Sequence, residues 1–161
     1  MSQRRRDHRP PSTGSTEKEV LVGFLDYLRT CVVDKVRGAP EPAARAAGVP
    51  SGTNLLGLLK HLAYVERYTF LGEHVDDWSA TFHAGPAETV DGLVDAYRAA
   101  VTRANAVIAA CEDLESRAPR PAKGGSGPSM RWALVHMIEE TGRHAGHMDI
   151  LREQIDGATG R

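Results

Sequence analysis

Four side chains toward the end of the sequence, His136, Glu140, His144 and His147, are of types that can act together on a metal or a proton. At about 100° per residue they fall on one narrow stripe of an α-helix. Met137, Met148, Leu151 and Ile155 lie beside that stripe, on the face a helix turns toward a core. Burying a neutral polar group costs roughly 2–7 kcal/mol unless something satisfies it, and a charge costs more. A divalent metal accepts imidazole nitrogen and carboxylate oxygen together, and one-turn spacing lets Glu140 and His144 reach the same ion. The alternative is a set of hydrogen-bonded core histidines. Spacing on a single helix does not choose between the two.

The elements that must position these groups are all helical. Thr16 and Glu19 form a capping box that opens a helix over 16–37, with Val20, Phe24, Tyr27, Cys31 and later Val32 and Val36 as its apolar residues. Glu41 to Ala47 makes a short helical turn. Ser51 or Thr53 caps the next helix, 54–73, on which His61 shares a face with Leu58, Leu62 and Val65 and therefore points inward. Residues 74–86 have no period and form a long loop; Trp78 and Phe82 are placed to fold over a pocket, and His83 is read as exposed. A third long helix covers 88–111, and a Pro/Gly linker over 118–128 leads to the last, 129–156, closed by Gly157. Gly142 and Gly146, one turn apart, each weaken that helix by roughly 1 kcal/mol against Ala, which points to another backbone packing there. Four amphipathic helices and no strand predict an all-α four-helix bundle, the kind of core in which facing helices hold metals. His61 and the Glu140/His144 pair are the facing groups. Three protein ligands leave a fourth position for water or substrate, as in catalytic sites.

Composition narrows the classes. At 161 residues a single domain over 15–161 is expected, after a polar, basic and proline-bearing tail, 1–14, expected to be disordered. A net charge of −1 gives no reason to expect a nucleic-acid partner, and no apolar run is long enough to span a membrane. The tail carries no secretory signal pattern. Two cysteines, Cys31 and Cys111, without a CxxC spacing fit a cytoplasmic protein with both thiols buried.

Two blocks then carry a family resemblance. Ser51-Gly-Thr-Asn-Leu-Leu-Gly-Leu-Leu-Lys-His-Leu-Ala-Tyr-Val-Glu-Arg67 and His136-Met-Ile-Glu-Glu-Thr-Gly-Arg-His-Ala-Gly-His-Met-Asp-Ile-Leu-Arg-Glu153 resemble the DinB/YfiT-like superfamily. More narrowly they are similar to the DUF664, or mini-circle protein, branch, related to mycothiol-dependent maleylpyruvate isomerases. The resemblance implies a DinB-like four-helix bundle, commonly a homodimer, with a divalent metal, often zinc or nickel, on three side chains. It carries the ligand roles to His61, Glu140 and His144. Glu140 stands where the general pattern has a histidine, as in the maleylpyruvate isomerase relatives. His147 stands where many members have glutamine, and is either a partner that orients a ligand or an alternative ligand. The implied function is a metal-dependent transferase or isomerase using a low-molecular-weight thiol such as mycothiol or bacillithiol, acting on a small-molecule substrate. A non-catalytic metal-binding or stress-associated bundle is the alternative.

Overall fold

In the computed structural model, which describes residues 8–122 and 124–160, the first long helix, α1 (Glu17–Val36), starts at the expected box. Thr16 Oγ1 accepts from Glu19 N at 3.2 Å, and Glu19 Oε2 accepts from Thr16 N at 3.0 Å. Such caps contribute about 1 kcal/mol each. Its last turns bury Cys31, Val32 and Val36 as expected, but its earlier turns point Leu25 and Arg29 inward, whereas Val20 and Phe24 are 41 % and 40 % exposed. At 100° per residue these two faces lie about 140° apart, and the first half of the helix is apolar on both, so period alone did not select between them.

The short α2 (Glu41–Arg45) follows, with a proline in its first turn where a missing N–H costs nothing. α3 (Leu55–Leu71) is capped by Asn54, not by Ser51 or Thr53: Asn54 Oδ1 accepts from Gly57 N at 2.8 Å. It ends on Gly72 in the left-handed conformation, φ 68°. The connection to α4 holds one turn of 3₁₀ helix, Ser79–Phe82. α4 (Val90–Ala110) is capped by Thr89, and α5 (Met130–Asp156) by Ser129 and Gly157.

α1 lies along α5 and α3 along α4, with α3 also facing α5 across the bundle. Among the described residues there is no strand, only an isolated bridge between Arg117 and Ser129 that ties the ends of the 118–128 connection. The architecture is the all-α bundle expected. Two apolar clusters fill it, one around Val32, Leu59, Val94 and Met148, the other around Leu25, Phe70, Ile108 and Met137. The buried arginines are matched by acceptors. Arg29, 3 % exposed, makes two 2.7 Å bonds to Glu66, which is 0 % exposed. Arg152 donates to the carbonyls of Lys35 and Arg37 at 2.8 and 2.7 Å, closing the C-terminal end of α1 with a cation from α5.

Three further expectations need correcting. Cys31 is buried but Cys111 is only half-buried, at the frayed end of α4. Gly142 packs against a side chain, not a backbone: an added Cβ would stand 3.5 Å from Leu28 Cδ1. Gly146 faces open space. Of the 1–14 tail, residues 1–7 with Arg4–Arg6 lie outside the described residues, while 8–14 run without regular structure, His8 O accepting from Tyr27 Oη at 2.9 Å. No helix is long and apolar enough to cross a membrane among the described residues.

Candidate metal centre

His61 sits at the middle of α3 and is 6 % exposed. Its position depends on a glycine one turn earlier. A Cβ on Gly57 would stand 2.0 Å from Phe82 O, so only glycine lets the 3₁₀ turn lie directly on α3. Phe82 then stacks flat on the His61 ring, centroids 3.9 Å apart at 15°, and Trp78 meets the same ring edge-on at 5.9 Å. The aperiodic segment thus covers the site with the two aromatics expected to do so. His83 is exposed and takes no part.

Thr81, which no pattern in the sequence singled out, completes the turn. It is 3 % exposed, and its Oγ1 donates to Trp78 O at 2.6 Å while standing 2.8 Å from His61 Nδ1. With its one hydrogen committed to the carbonyl, the hydroxyl accepts from His61, so the proton is on Nδ1. The other nitrogen, Nε2, faces α5.

On α5, Glu140 and His144 project from successive turns. Glu140 Oε1 is 3.2 Å from His61 Nε2 and 3.1 Å from His144 Nε2, so two imidazoles converge on one carboxylate oxygen. With protons on both Nε2 atoms in metal-free protein, hydrogen bonds from His144 and then His61 hold the Glu140 carboxyl far below the usual carboxylate range, against a smaller opposing effect of burial. One donor atom from each of His61, Glu140 and His144 lies within 4.8 Å of the others. Tetrahedral ligands about 2.1 Å from a zinc-type ion stand about 3.4 Å apart, so small side-chain movements bring the three to a common ion.

The remaining two members of the stripe are placed otherwise. His147 is exposed and approaches His144 from behind, Nδ1 to Nδ1 at 3.4 Å. Burial, then His144 and Arg143, keep its pKa below the ordinary histidine value, which favours the neutral ring that can accept a hydrogen bond from His144 Nδ1. His136 stacks on Trp132, centroids 4.7 Å apart, and reaches Glu139 instead of the cluster.

Comparison with known proteins supplies the relationship. None of the curated proteins matches the chain. The crystal structure of a conserved protein from Enterococcus faecalis shares the fold, with a TM-score of 0.67 over 89 % of this chain and 99 % of that one at 14 % identity. A model of the family described as mycothiol-S-transferase matches residues 20–157, which takes in both ligand-bearing helices and the covering turn. The chain therefore belongs to the mycothiol-S-transferase family of DinB-like proteins.

Proposed function

We propose that His61, Glu140 and His144 hold one divalent metal, zinc or nickel, and that the protein transfers a low-molecular-weight thiol of the mycothiol or bacillithiol kind to a small electrophile. The observation that carries this reading is the pair of Thr81 contacts that sets the His61 tautomer. Thr81 donates to Trp78 O and accepts from His61 Nδ1, which leaves the Nε2 lone pair aimed at a carboxylate oxygen only 3.2 Å away. Two lone pairs facing each other repel unless a second proton or a cation lies between them, and a dication also satisfies His144 at the same oxygen.

Such an ion supplies Lewis acidity, lowering the pKa of a thiol presented to it so that the nucleophilic thiolate dominates at neutral pH. The side chains set the terms. Two neutral imidazoles and one carboxylate leave a net positive centre, which favours an anionic sulfur. Thr81 and His147 hold the ring orientations of His61 and His144 from behind. Trp78 and Phe82 keep water from the His61 side.

The reading includes assembly as a homodimer. The outer face of α1 and α5 suits it, with Val20, Phe24, Val135 and Ile150 exposed and Gly146 open beside them. Light scattering that returns the monomer mass at micromolar concentration removes this part alone.

The activity is tested with mycothiol and chlorodinitrobenzene, in which the sulfur–carbon bond forms, chloride leaves and the thiol proton goes to solvent. Metal-loaded protein should accelerate conjugation, and chelated protein should not. Stoichiometric metal without any thiol-dependent turnover would instead leave the non-catalytic metal-binding bundle.

A further inference from the structure

Arg120 stands outside the ligand cluster yet is joined to it by a row of aromatic rings. It lies half-buried in the 118–128 connection, its guanidinium carbon 5.1 Å from the ring centroid of Tyr68 and 5.0 Å from that of Trp132. The backbone holds it there. Gly72 lets Pro119 approach, since an added Cβ would stand 2.9 Å from Pro119 O, and Tyr68 Oη donates to Pro121 O at 3.4 Å. Arg67 and Arg103, on neighbouring surface, are both taken up by Glu73. Among the described residues, no carboxylate or carbonyl accepts from Arg120.

The row of rings from this cation to the ligand cluster is continuous. α3 runs from His61 to Tyr68, about 10 Å at 1.5 Å per residue, while α5 runs back from Glu140 to Trp132, about 12 Å. Trp78 bridges the span, edge-on to His61 at 5.9 Å and to Tyr68 at 5.0 Å. A guanidinium resting on aromatic rings keeps its N–H edge for a planar oxyanion, which it can bind with two parallel hydrogen bonds. One guanidinium balances one carboxylate; a phosphate dianion calls for more positive charge.

We propose that Arg120 binds a substrate carboxylate about 10 Å from the reacting sulfur, carried either on the thiol itself or on the electrophile beside it. This rests on the reading of His61, Glu140 and His144 as the place where sulfur is held. Arg120 then selects among substrates by charge and by length.

Cobalt(II)-loaded protein, whose visible absorption reports sulfur binding, tests it with two probes of equal length, 8-mercaptooctanoic acid and 8-mercapto-1-octanol. The acid should bind about 10–100-fold more tightly than the alcohol. Arg120→Gln should erase that preference while leaving cobalt content and alcohol affinity unchanged, and Arg120→Lys should restore only part of it. Octanoate against octanol, titrated into cobalt protein saturated with 2-mercaptoethanol, shows whether the carboxylate can come on a second molecule. Trp132 touches the Arg120 guanidinium and Trp78 touches Tyr68 and His61, so the fluorescence of these two tryptophans reads the same octanoate titration in metal-free protein. Should no cobalt bind, the thiol reading fails and that fluorescence titration alone decides the role of Arg120. The proposal is overturned if neither acid shows an advantage over its alcohol that depends on Arg120.

Discussion

The Thr81 hydroxyl has one hydrogen, and it is spent on Trp78 O. That commitment makes the His61 ring a one-sided ligand, and it predicts a measurable cost for removing the acceptor. Thr81→Val should weaken metal binding on the order of 10–100-fold with the fold intact. His147→Ala should do less, under about tenfold, because its ring is exposed and water can accept from His144 in its place. Competition against a chromogenic chelator measures both. Glu140 gives a pH signature in metal-free protein. Its folded-state pKa lies below the ordinary value of 4.5, so the unfolded chain binds the proton more readily and stability falls as pH is lowered through that window. Chemical denaturation between about pH 5.5 and 3 should show a steeper loss for the wild type than for Glu140→Gln. Parallel slopes would mean that the carboxylate is not held by the two histidines.

At the scale of elements, the contact between α3 and the Ser79–Phe82 turn is the hinge of the site. Gly57→Ala ought to gain about 1 kcal/mol of helix propensity. The added Cβ, 2.0 Å from Phe82 O, is the larger effect, because backbone must move and overpacking costs typically 1–3 kcal/mol. The variant should therefore melt lower and bind metal more weakly, with Thr81 and Phe82 displaced together. A variant as stable as the wild type would show that the turn floats free of α3. The sequence made the helices legible because their ends are written locally: the Thr16–Glu19 box, Thr89, Ser129 and Gly157 lie where the helices start and stop. The His61, Glu140 and His144 convergence was legible from two helix faces and a family resemblance. Thr81 and Arg120 were not, since each acts through a loop whose path depends on contacts distant in sequence, with Gly57 for the one and Gly72 for the other. The buried face of the earlier turns of α1 was misphased for a related reason: Arg29 reads as surface until Glu66 is placed opposite it.

At the scale of the molecule, that buried pair joins α1 to α3 while Arg152 joins α5 to the end of α1. Glu66→Ala leaves a guanidinium that is 3 % exposed with only Asp26 and Asn105 on its outer nitrogen. Breaking a buried pair from one side costs about 3–5 kcal/mol, which for a protein of this size lowers the melting temperature by roughly 6–20 °C. Calorimetry reads this directly, and a shift of under about 2 °C would mean that solvent reaches the pair. The frame so held keeps α3 and α5 at the separation at which His61, Glu140 and His144 meet, the separation the proposed ion requires. Elemental analysis of protein purified without an affinity tag, with His144→Ala as its control, measures that most directly. Close to one equivalent of zinc or nickel is expected in the wild type and almost none in a His144→Ala protein that still shows the helical circular dichroism of the bundle. A wild type that stays metal-free after incubation with either ion, or a folded His144→Ala variant that keeps its full equivalent, would contradict it.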